Sequence, residues 1–211
     1  MNPKSLARAR ALIFDFDGTL VDSNGIKRKA FEACFQKFPG QRAAILRYCA
    51  GNNHVPRWDK FRHVTEKILG LRYTPSIDRQ LNKRFEAATT RQIIEAPERA
   101  GAFRFLSRVS RTHRLGLLSS TPDRILRTIV RERGWTSLFR VIRGAPVNKA
   151  AWLTRYRRRH GLSGREVLFF GDTEEDARAA HAAGCRFIGV ANPKLRKLSN
   201  ATLRNFQGIF N

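Results

Sequence analysis

Two aspartates that follow an apolar run near the start of the chain have the spacing of a chemical site. The run, residues 11–14, leads directly into Asp15 and Asp17, and Gly18 comes next. Residues i and i+2 of a strand point to the same face, so we expect two neighbouring carboxylates at the end of a buried strand. Such a pair suits a metal ion, or a site where one carboxylate attacks and the other moves a proton. A purely structural cap of the turn is the less favoured interpretation.

A second acidic pair lies late in the chain. Residues 167–170 are all apolar and lead into Gly171 and Asp172, and Asp176 follows one helical turn later. Carboxylates at i and i+4 share one face of a helix and can meet the same ion. Acidic residues also stabilise helix N-termini, so this pair taken alone is compatible with simple capping.

Two weaker candidates lie between the acidic pairs. Ser119 and Ser120 follow an apolar run, where hydroxyl and backbone N–H groups can hold phosphate oxygens. Taken alone, the favoured interpretation is an ordinary cap for the next helix. Lys149 begins a predicted helix, where a positive charge is mildly unfavourable unless an anion lies nearby.

The elements that must position these residues alternate between strands and helices. Short apolar runs predict five buried strands, at residues 11–17, 115–119, 139–142, 166–171 and 186–190. Helical spacing of apolar residues predicts helices at residues 100–110, 124–133, 150–160 and 172–183. This alternation indicates an α/β fold, a Rossmann-like parallel sheet with helices on both faces. Sites in such sheets form beyond the carboxyl ends of the strands.

One segment interrupts the alternation. Residues 23–96 contain no clear strand, and their apolar spacing predicts helices at residues 26–38, 41–49, 57–69 and 77–94. Pro97 marks a plausible return to the sheet. We therefore expect an α-helical domain, residues 23–96, inserted into a core domain of residues 1–22 and 97–211.

The charge of the chain is strongly positive. Lys and Arg number 41 against 17 Asp and Glu, a formal net charge of +24. Such a surface attracts anions, among them nucleic acid, anionic lipid and phosphorylated metabolites. The densest cluster, residues 155–159, is interpreted as the solvated face of a helix rather than as a nucleic-acid patch.

The remaining composition narrows the class of protein. With 42% hydrophobic residues the chain is globular rather than disordered. No apolar run approaches the roughly 20 residues of a membrane span. Cys34, Cys49 and Cys185 are widely spaced and lack a metal-ligand pattern, which predicts reduced thiols in a cytoplasmic protein.

The order of the candidate residues is more specific than any one of them. DxD, Ser, Lys and GDxxxD occur in that order, each at the end of a predicted strand or in the loop beyond it. The set resembles the four motifs of the haloacid dehalogenase superfamily of phosphohydrolases, over residues 11–23 and from about residue 100 to 190. The helical insertion resembles that superfamily's cap domain.

This resemblance implies phosphatase chemistry through an aspartyl-phosphate. Asp15 would be the nucleophile, and Asp17 would protonate the leaving alcohol and then activate water. Lys149 would neutralise negative charge. Ser119, with Ser120 beside it, would hold the phosphoryl group.

The resemblance also implies a Mg²⁺ cofactor. Asp15 and Asp172 would bind the ion together with the backbone carbonyl of Asp17, and Asp176 would lie among or beside these ligands. Oxygen donors favour Mg²⁺, and no His/Cys cluster suggests zinc.

The inserted helices bear on the substrate. Residues 51–61 resemble a cap segment of superfamily members similar to phosphoglycolate phosphatase, which makes Arg57 and Lys60 candidate contacts to an anionic or sugar substrate; an exposed helix start is the alternative. Asp17 is typical of phosphatases and phosphomutases. The leading prediction is hydrolysis of a small phosphate monoester, a sugar phosphate or a phosphoglycolate-like compound, by a monomer or homodimer. A phosphomutase, a nucleic-acid-end phosphatase and a catalytically inactive polyanion-binding protein remain open.

Overall fold

The computed structural model describes residues 6–52 and 55–209, which form two compact units. The first, here called the core unit, comprises Met1–Asp22 and Ala96–Asn211, and the second, the helical unit, comprises Ser23–Glu95. The role of the helical unit as a cap domain stays a prediction.

The described residues contain six strands and eight α-helices. The strands are β1 (Ala11–Phe14), β2 (Arg114–Pro122), β3 (Val141–Ala145), β4 (Val167–Gly171), β5 (Arg186–Val190) and β6 (Ala201–Leu203). The helices are α1 (Asn24–Cys34), α2 (Arg42–Gly51), α3 (Arg57–His63), α4 (Pro75–Glu95), α5 (Ala102–Val109), α6 (Asp123–Glu132), α7 (Lys149–Arg159) and α8 (Glu174–Ala182). A π-helical turn, Val64–Ile68, continues α3.

The core unit is built on one parallel sheet. Its strand order is β3-β2-β1-β4-β5-β6, and every neighbouring pair is parallel. All residues of β1 and β4 are buried, as expected when helices cover both faces of a parallel sheet. The predicted α/β fold with a Rossmann-like parallel sheet is confirmed.

Aromatic and small side chains fill the two sides of this sheet. Phe14 stacks on Phe170 of the neighbouring strand with ring centroids 4.6 Å apart. On α7, Trp152 and Leu153 are buried in the cluster that also takes up Ala180 of α8. Burial of such side chains stabilises the fold by about 1.5–3 kcal/mol each, so the sheet is a rigid support for residues at its edges.

β1 ends earlier than predicted. The backbone N–H of Asp15 still donates to Phe170 O at 2.8 Å, but the chain then turns, and Val21 N–H donates to Phe16 O at 3.1 Å. Gly18 takes a φ of +79°, which a side chain disfavours. The expectation of a strand over residues 11–17 was therefore wrong at its end, because this turn removes residues 16 and 17 from the ladder.

Three other strands differ from expectation. β2 runs from Arg114 to Pro122, whereas its apolar signal placed it at residues 115–119. β3 begins at Val141 and ends at Ala145, whereas its apolar signal placed it at residues 139–142. β6 was not predicted, because its three residues pair only with β5 and form no apolar run.

The helical unit has its own core. The rings of Phe31, Phe61 and Phe85 meet at its centre, with Phe31 and Phe85 centroids 4.8 Å apart. Cys34 and Cys49 lie in this cluster and Cys185 in the core unit, and all three are free and buried. Of the helices that the structure describes, none combines the length and apolar character needed to cross a bilayer.

Candidate active site

Two adjacent strand ends bring the acidic pairs together. Phe14 of β1 pairs with Phe170 of β4, so Asp15 and Asp172 follow neighbouring strands at the same edge of the sheet. One carboxylate oxygen each of Asp15, Asp172 and Asp176 lie within 4.8 Å of one another. Residues that are 157 positions apart in the chain therefore form one acidic cluster.

Asp176 is held by the start of α8. Its Oδ2 accepts hydrogen bonds from the backbone N–H of Thr173 at 3.2 Å and from Thr173 Oγ1 at 2.6 Å, and Thr173 Oγ1 in turn accepts from Asp176 N–H. This capping box satisfies backbone groups at the helix start. A Cβ atom on Gly171 would lie 2.5 to 2.7 Å from side-chain atoms of Asp176, so only glycine permits this approach.

Lys149 joins the nucleophile candidate to α8. Asn148 caps α7 by accepting from Ala151 N–H at 2.9 Å, which directs the first helical residue, Lys149, toward the cluster. Its ammonium donates to Asp15 Oδ1 at 2.8 Å and to Asp176 Oδ1 at 2.7 Å. A lysine at a helix start is unfavourable unless an anion lies nearby, and here the carboxylates of Asp15 and Asp176 provide that negative charge.

The electrostatics of the cluster are those of a cation site. Burial raises the pKa of Asp15 to about 8, although Lys149 opposes the shift. The neighbouring carboxylates contribute to this rise, because like charges disfavour a second ionised group. Burial alone would lower the pKa of Lys149, but Asp15 and Asp176 more than offset it and the net shift is upward.

The donor set fits Mg²⁺. Three carboxylates against one ammonium leave an excess of negative charge, and all their donors are hard oxygen atoms. Within the described residues this group contains neither His nor Cys, the ligands that soft metals prefer.

The side chain of Asp17 has a different environment from that of Asp15. Asp17 is buried and its Oδ2 accepts a hydrogen bond of 2.7 Å from Thr121 Oγ1. Its side chain does not belong to the carboxylate cluster, and a metal contact of its backbone carbonyl stays a prediction. The bond from β2 fixes the orientation of a carboxylate that is expected to move protons.

The two candidate serines lie inside β2, not beyond its end. The pairing with β3 shifts register between Leu118 and Pro122, and this irregularity contains both serines. Ser119 is buried and its Oγ accepts the backbone N–H of Thr121 at 3.1 Å, whereas Ser120 is exposed. The two hydroxyls therefore have different surroundings, and their contact with a phosphoryl group stays a prediction.

Arg57 and Lys60 are engaged within the helical unit. Arg57 forms a 2.5 Å ion pair with Glu86 and its guanidinium lies over the Phe85 ring. Lys60 is only 5% exposed, with its ammonium 3.5 Å from Cys49 O and 5.1 Å from the Phe31 ring centroid. The alternative of an exposed helix start does not hold for Lys60, because tertiary packing covers it. Their contact with substrate stays a prediction.

Several supporting residues were not identified as site residues from the sequence. Thr19 Oγ1 donates to Asp172 Oδ1 at 3.3 Å, and Asn192 Nδ2 donates to Asp172 O at 2.8 Å. Arg99 donates to Gly18 O at 2.9 Å and pairs with Asp22. Thr19 follows Gly18 and Thr121 follows Ser120, so both stand beside residues that the sequence singled out, but no local signal marks Asn192 or Arg99.

Known proteins are similar to this chain over most of its length. A sequence model described as haloacid dehalogenase-like hydrolase matches residues 12–190. A protein named phosphoglycolate phosphatase from Yersinia pestis is 28% identical, over 86% of this chain and 80% of the relative. A haloacid dehalogenase-like family hydrolase from Streptococcus pneumoniae has a similar fold, with a TM-score of 0.73, 18% identity and coverage of 94% of this chain and 95% of the other. CbbY from Rhodobacter sphaeroides, solved in complex with phosphate, also has a similar fold. Its TM-score is 0.75, its sequence identity is 19%, and the match covers 96% of each chain.

Proposed function

The chain belongs to the haloacid dehalogenase-like hydrolase family, and from that premise we propose that it is a Mg²⁺-dependent phosphatase of a small phosphate monoester. The predicted family and a hydrolase activity are thereby confirmed, and the phosphate ester is the proposal. The observation that carries it is the ammonium of Lys149, held between the carboxylates of Asp15 and Asp176. The relative named phosphoglycolate phosphatase supports a sugar phosphate or a phosphoglycolate-like compound as the substrate.

Asp15 would act as the nucleophile. Its carboxylate oxygen forms a bond to phosphorus while the bond from phosphorus to the ester oxygen breaks, which gives an aspartyl-phosphate and an alkoxide leaving group. Asp17, oriented by Thr121, protonates that oxygen so that an alcohol departs. Asp17 then removes a proton from water, whose oxygen attacks phosphorus, releases phosphate and regenerates Asp15.

Positive charge is needed where the two anions meet. Lys149 offsets the charge of Asp15 and of the transferring group through its buried ammonium. Mg²⁺ would be held by Asp15 and Asp172 with the backbone carbonyl of Asp17, and when bound it would supply further charge neutralisation. Both oxygens of Asp176 already accept hydrogen bonds, so this residue would position Lys149 beside the ion.

The other functions expected from the sequence remain alternatives. A phosphomutase would use the same aspartates, and a nucleic-acid-end phosphatase or an inactive polyanion-binding protein would use the net charge of +24. No described contact favours one of these over the phosphatase. The cytoplasmic location and the monomeric or dimeric state also stay predictions.

Phosphate release from a substrate panel tests the proposal. The panel contains sugar phosphates, phosphoglycolate, nucleotides and 5′-phosphorylated oligonucleotides, each with Mg²⁺ or with EDTA. We expect Mg²⁺-dependent release that Asp15→Asn abolishes and that Glu175→Gln, the same loss of charge at an exposed position of α8, retains. Release that persists in Asp15→Asn would contradict the proposal. Preference for oligonucleotides would favour the nucleic-acid alternative.

A further inference from the structure

The edge of the sheet opposite the acidic cluster carries a row of arginines. Arg10 immediately precedes β1, Arg114 begins β2 and Arg140 immediately precedes β3, and these three strands are neighbours. Arg114 N–H donates to Arg10 O at 3.0 Å, and Arg140 N–H donates to Leu115 O at 2.8 Å. Neighbouring strands lie about 4.8 Å apart, so the backbones of the three arginines lie close together. Arg114 pairs with Ala11 and therefore leaves the sheet on the opposite face from Arg10, but all three side chains line the space beyond the strand ends.

This row lines a cavity. The three arginines line an open space of about 640 Å³ together with Arg111 and His160, among others. The volume falls within the roughly 300–1,000 Å³ of small-molecule sites, but those are mostly apolar and this one is basic. Every residue of the cavity belongs to the core unit, so the site does not depend on the helical unit.

The positive charge of the cavity is poorly compensated. The described residues that line the cavity include no aspartate or glutamate. Arg10 forms an ion pair of 3.6 Å with Glu166, which does not line the cavity. Arg114 donates to His160 Nδ1 at 2.9 Å, which requires that nitrogen to be unprotonated. The pKa of His160 is lowered by burial and then by Arg114 and Arg159. An anion that enters the cavity would therefore meet positive charge that no lining carboxylate compensates.

We propose that this cavity at the amino edge of the sheet binds a small anion that carries two or more phosphate groups. Each guanidinium can bind a phosphate through two parallel hydrogen bonds, and the arginines around the cavity offer several such positions. A single phosphate would leave part of the row unsatisfied. The site lies apart from Asp15 and is additional to the proposed catalytic function.

The cavity fits a small ligand better than a nucleic acid. Sequence-independent binding of single strands relies on exposed aromatic rings on which bases stack. The aromatic ring of this cavity, Tyr156, is only 8% exposed and stacks on Trp152 at 4.9 Å between centroids. It therefore completes the wall of the cavity and offers no platform for bases.

Titration calorimetry with inorganic tripolyphosphate tests the proposal. The full chain is titrated in EDTA at near-physiological salt, so that the acidic cluster holds no divalent ion. We expect saturable binding near one ligand per chain. Arg114→Gln combined with Arg140→Gln should weaken it at least about tenfold, because the pair removes two charged donors to the phosphate oxygens. The combination Arg79→Gln with Lys83→Gln removes the same charge from exposed positions of α4 and should change affinity less than about twofold.

Other outcomes would overturn the proposal. Equal weakening by both double variants would mean diffuse attraction to a basic protein. Loss of binding in Lys149→Gln with retention in the arginine variant would place the anion at the catalytic cluster. Affinity for single-stranded RNA that grows with length and displaces tripolyphosphate would identify a polymer surface.

Misfolding is controlled independently. The second pair Arg10→Gln with Arg111→Gln should reproduce the loss. Both arginine pairs and the Arg79→Gln with Lys83→Gln control should keep their circular dichroism and their rate of phosphate release. A pair that binds normally while the other does not would show that the row is not one site.

Discussion

Nζ of Lys149 lies 2.7 Å from Oδ1 of Asp176, and the other oxygen of the same carboxylate accepts the hydroxyl and backbone N–H of Thr173. One carboxylate therefore links the first residue of α7 to the cap of α8. The same ammonium reaches Asp15 at 2.8 Å, so the position of a charge beside the nucleophile depends on how α8 begins.

Asp176→Asn should lower kcat by about 10- to 100-fold, the range typical of residues that orient a group in a catalytic site. An asparagine that keeps its oxygen on Thr173 turns its amide N–H₂ toward the ammonium of Lys149, which withdraws from Asp15. Steady-state kinetics with the best substrate of the panel measure this. Glu175→Gln, an equal charge change on the exposed face of the same helical turn, should leave kcat within about twofold. Equal losses in both variants would show an effect of charge alone.

Thr121→Val should lower kcat by about tenfold. Valine keeps the shape of the side chain but removes the hydroxyl that donates to Asp17 at 2.7 Å, and a hydrogen bond to a charged group contributes about 1.5–3 kcal/mol. The comparison is with Thr154→Val, which removes a hydroxyl bonded only to the backbone of α7. If Thr121→Val instead raises KM and leaves kcat intact, the hydroxyl serves binding and not the proton transfer by Asp17.

The sequence was most informative where a single local pattern carries the structure. Buried parallel strands must be apolar throughout, so β1 and β4 were visible as runs, and the aspartates that follow them were visible as candidates. The turn after Asp15 could not be predicted from the sequence. The hydrogen bonds that close it, such as the one from Val21 N–H to Phe16 O, join backbone groups of ordinary apolar residues.

Other parts of the site depend on packing between distant segments. The contact of Lys149 with Asp176 spans 27 residues and requires β4 and α8 to bring Asp176 close to Gly171. Lys60 carried no signal of burial, because its surroundings, Phe31 and Cys49, come from other helices. The order of the motifs identified the candidate residues. The tertiary structure shows which of them are in contact, as in the hydrogen bonds from Lys149 to Asp15 and Asp176.

Mg²⁺ should raise the melting temperature of the protein, and EDTA should reverse the gain. Three carboxylates gathered within 4.8 Å repel one another, and an ion that binds only the folded state stabilises it by about 2.7 kcal/mol at 100 times Kd. Differential scanning calorimetry with increasing Mg²⁺ measures this without any substrate.

Asp172→Asn should remove most of that Mg²⁺-dependent gain. With EDTA present, the same variant should melt no lower than the wild type, because it relieves repulsion. Glu174→Gln, at an exposed position of α8, should keep the full response. A Mg²⁺ response that survives Asp172→Asn unchanged would place the ion elsewhere.

Lys60→Met should stabilise the protein at neutral pH and lose that advantage as the pH rises. Burial lowers the pKa of Lys60 from 10.5 to about 8, so between these values the unfolded chain binds more protons than the folded one. The free energy of unfolding of the wild type therefore rises with pH from about 8 to about 10.5, and the cost of the buried charge is complete below pH 8.

Methionine avoids that cost and should gain about 2 kcal/mol at pH 7. Urea unfolding of both proteins at pH 7 and pH 10 measures the difference, with Lys83→Met, at an exposed position of α4, as the matched control. A variant that is less stable than the wild type at pH 7 would mean that the contact with the Phe31 ring outweighs desolvation, and an increased KM would return Lys60 to the substrate site predicted from the sequence.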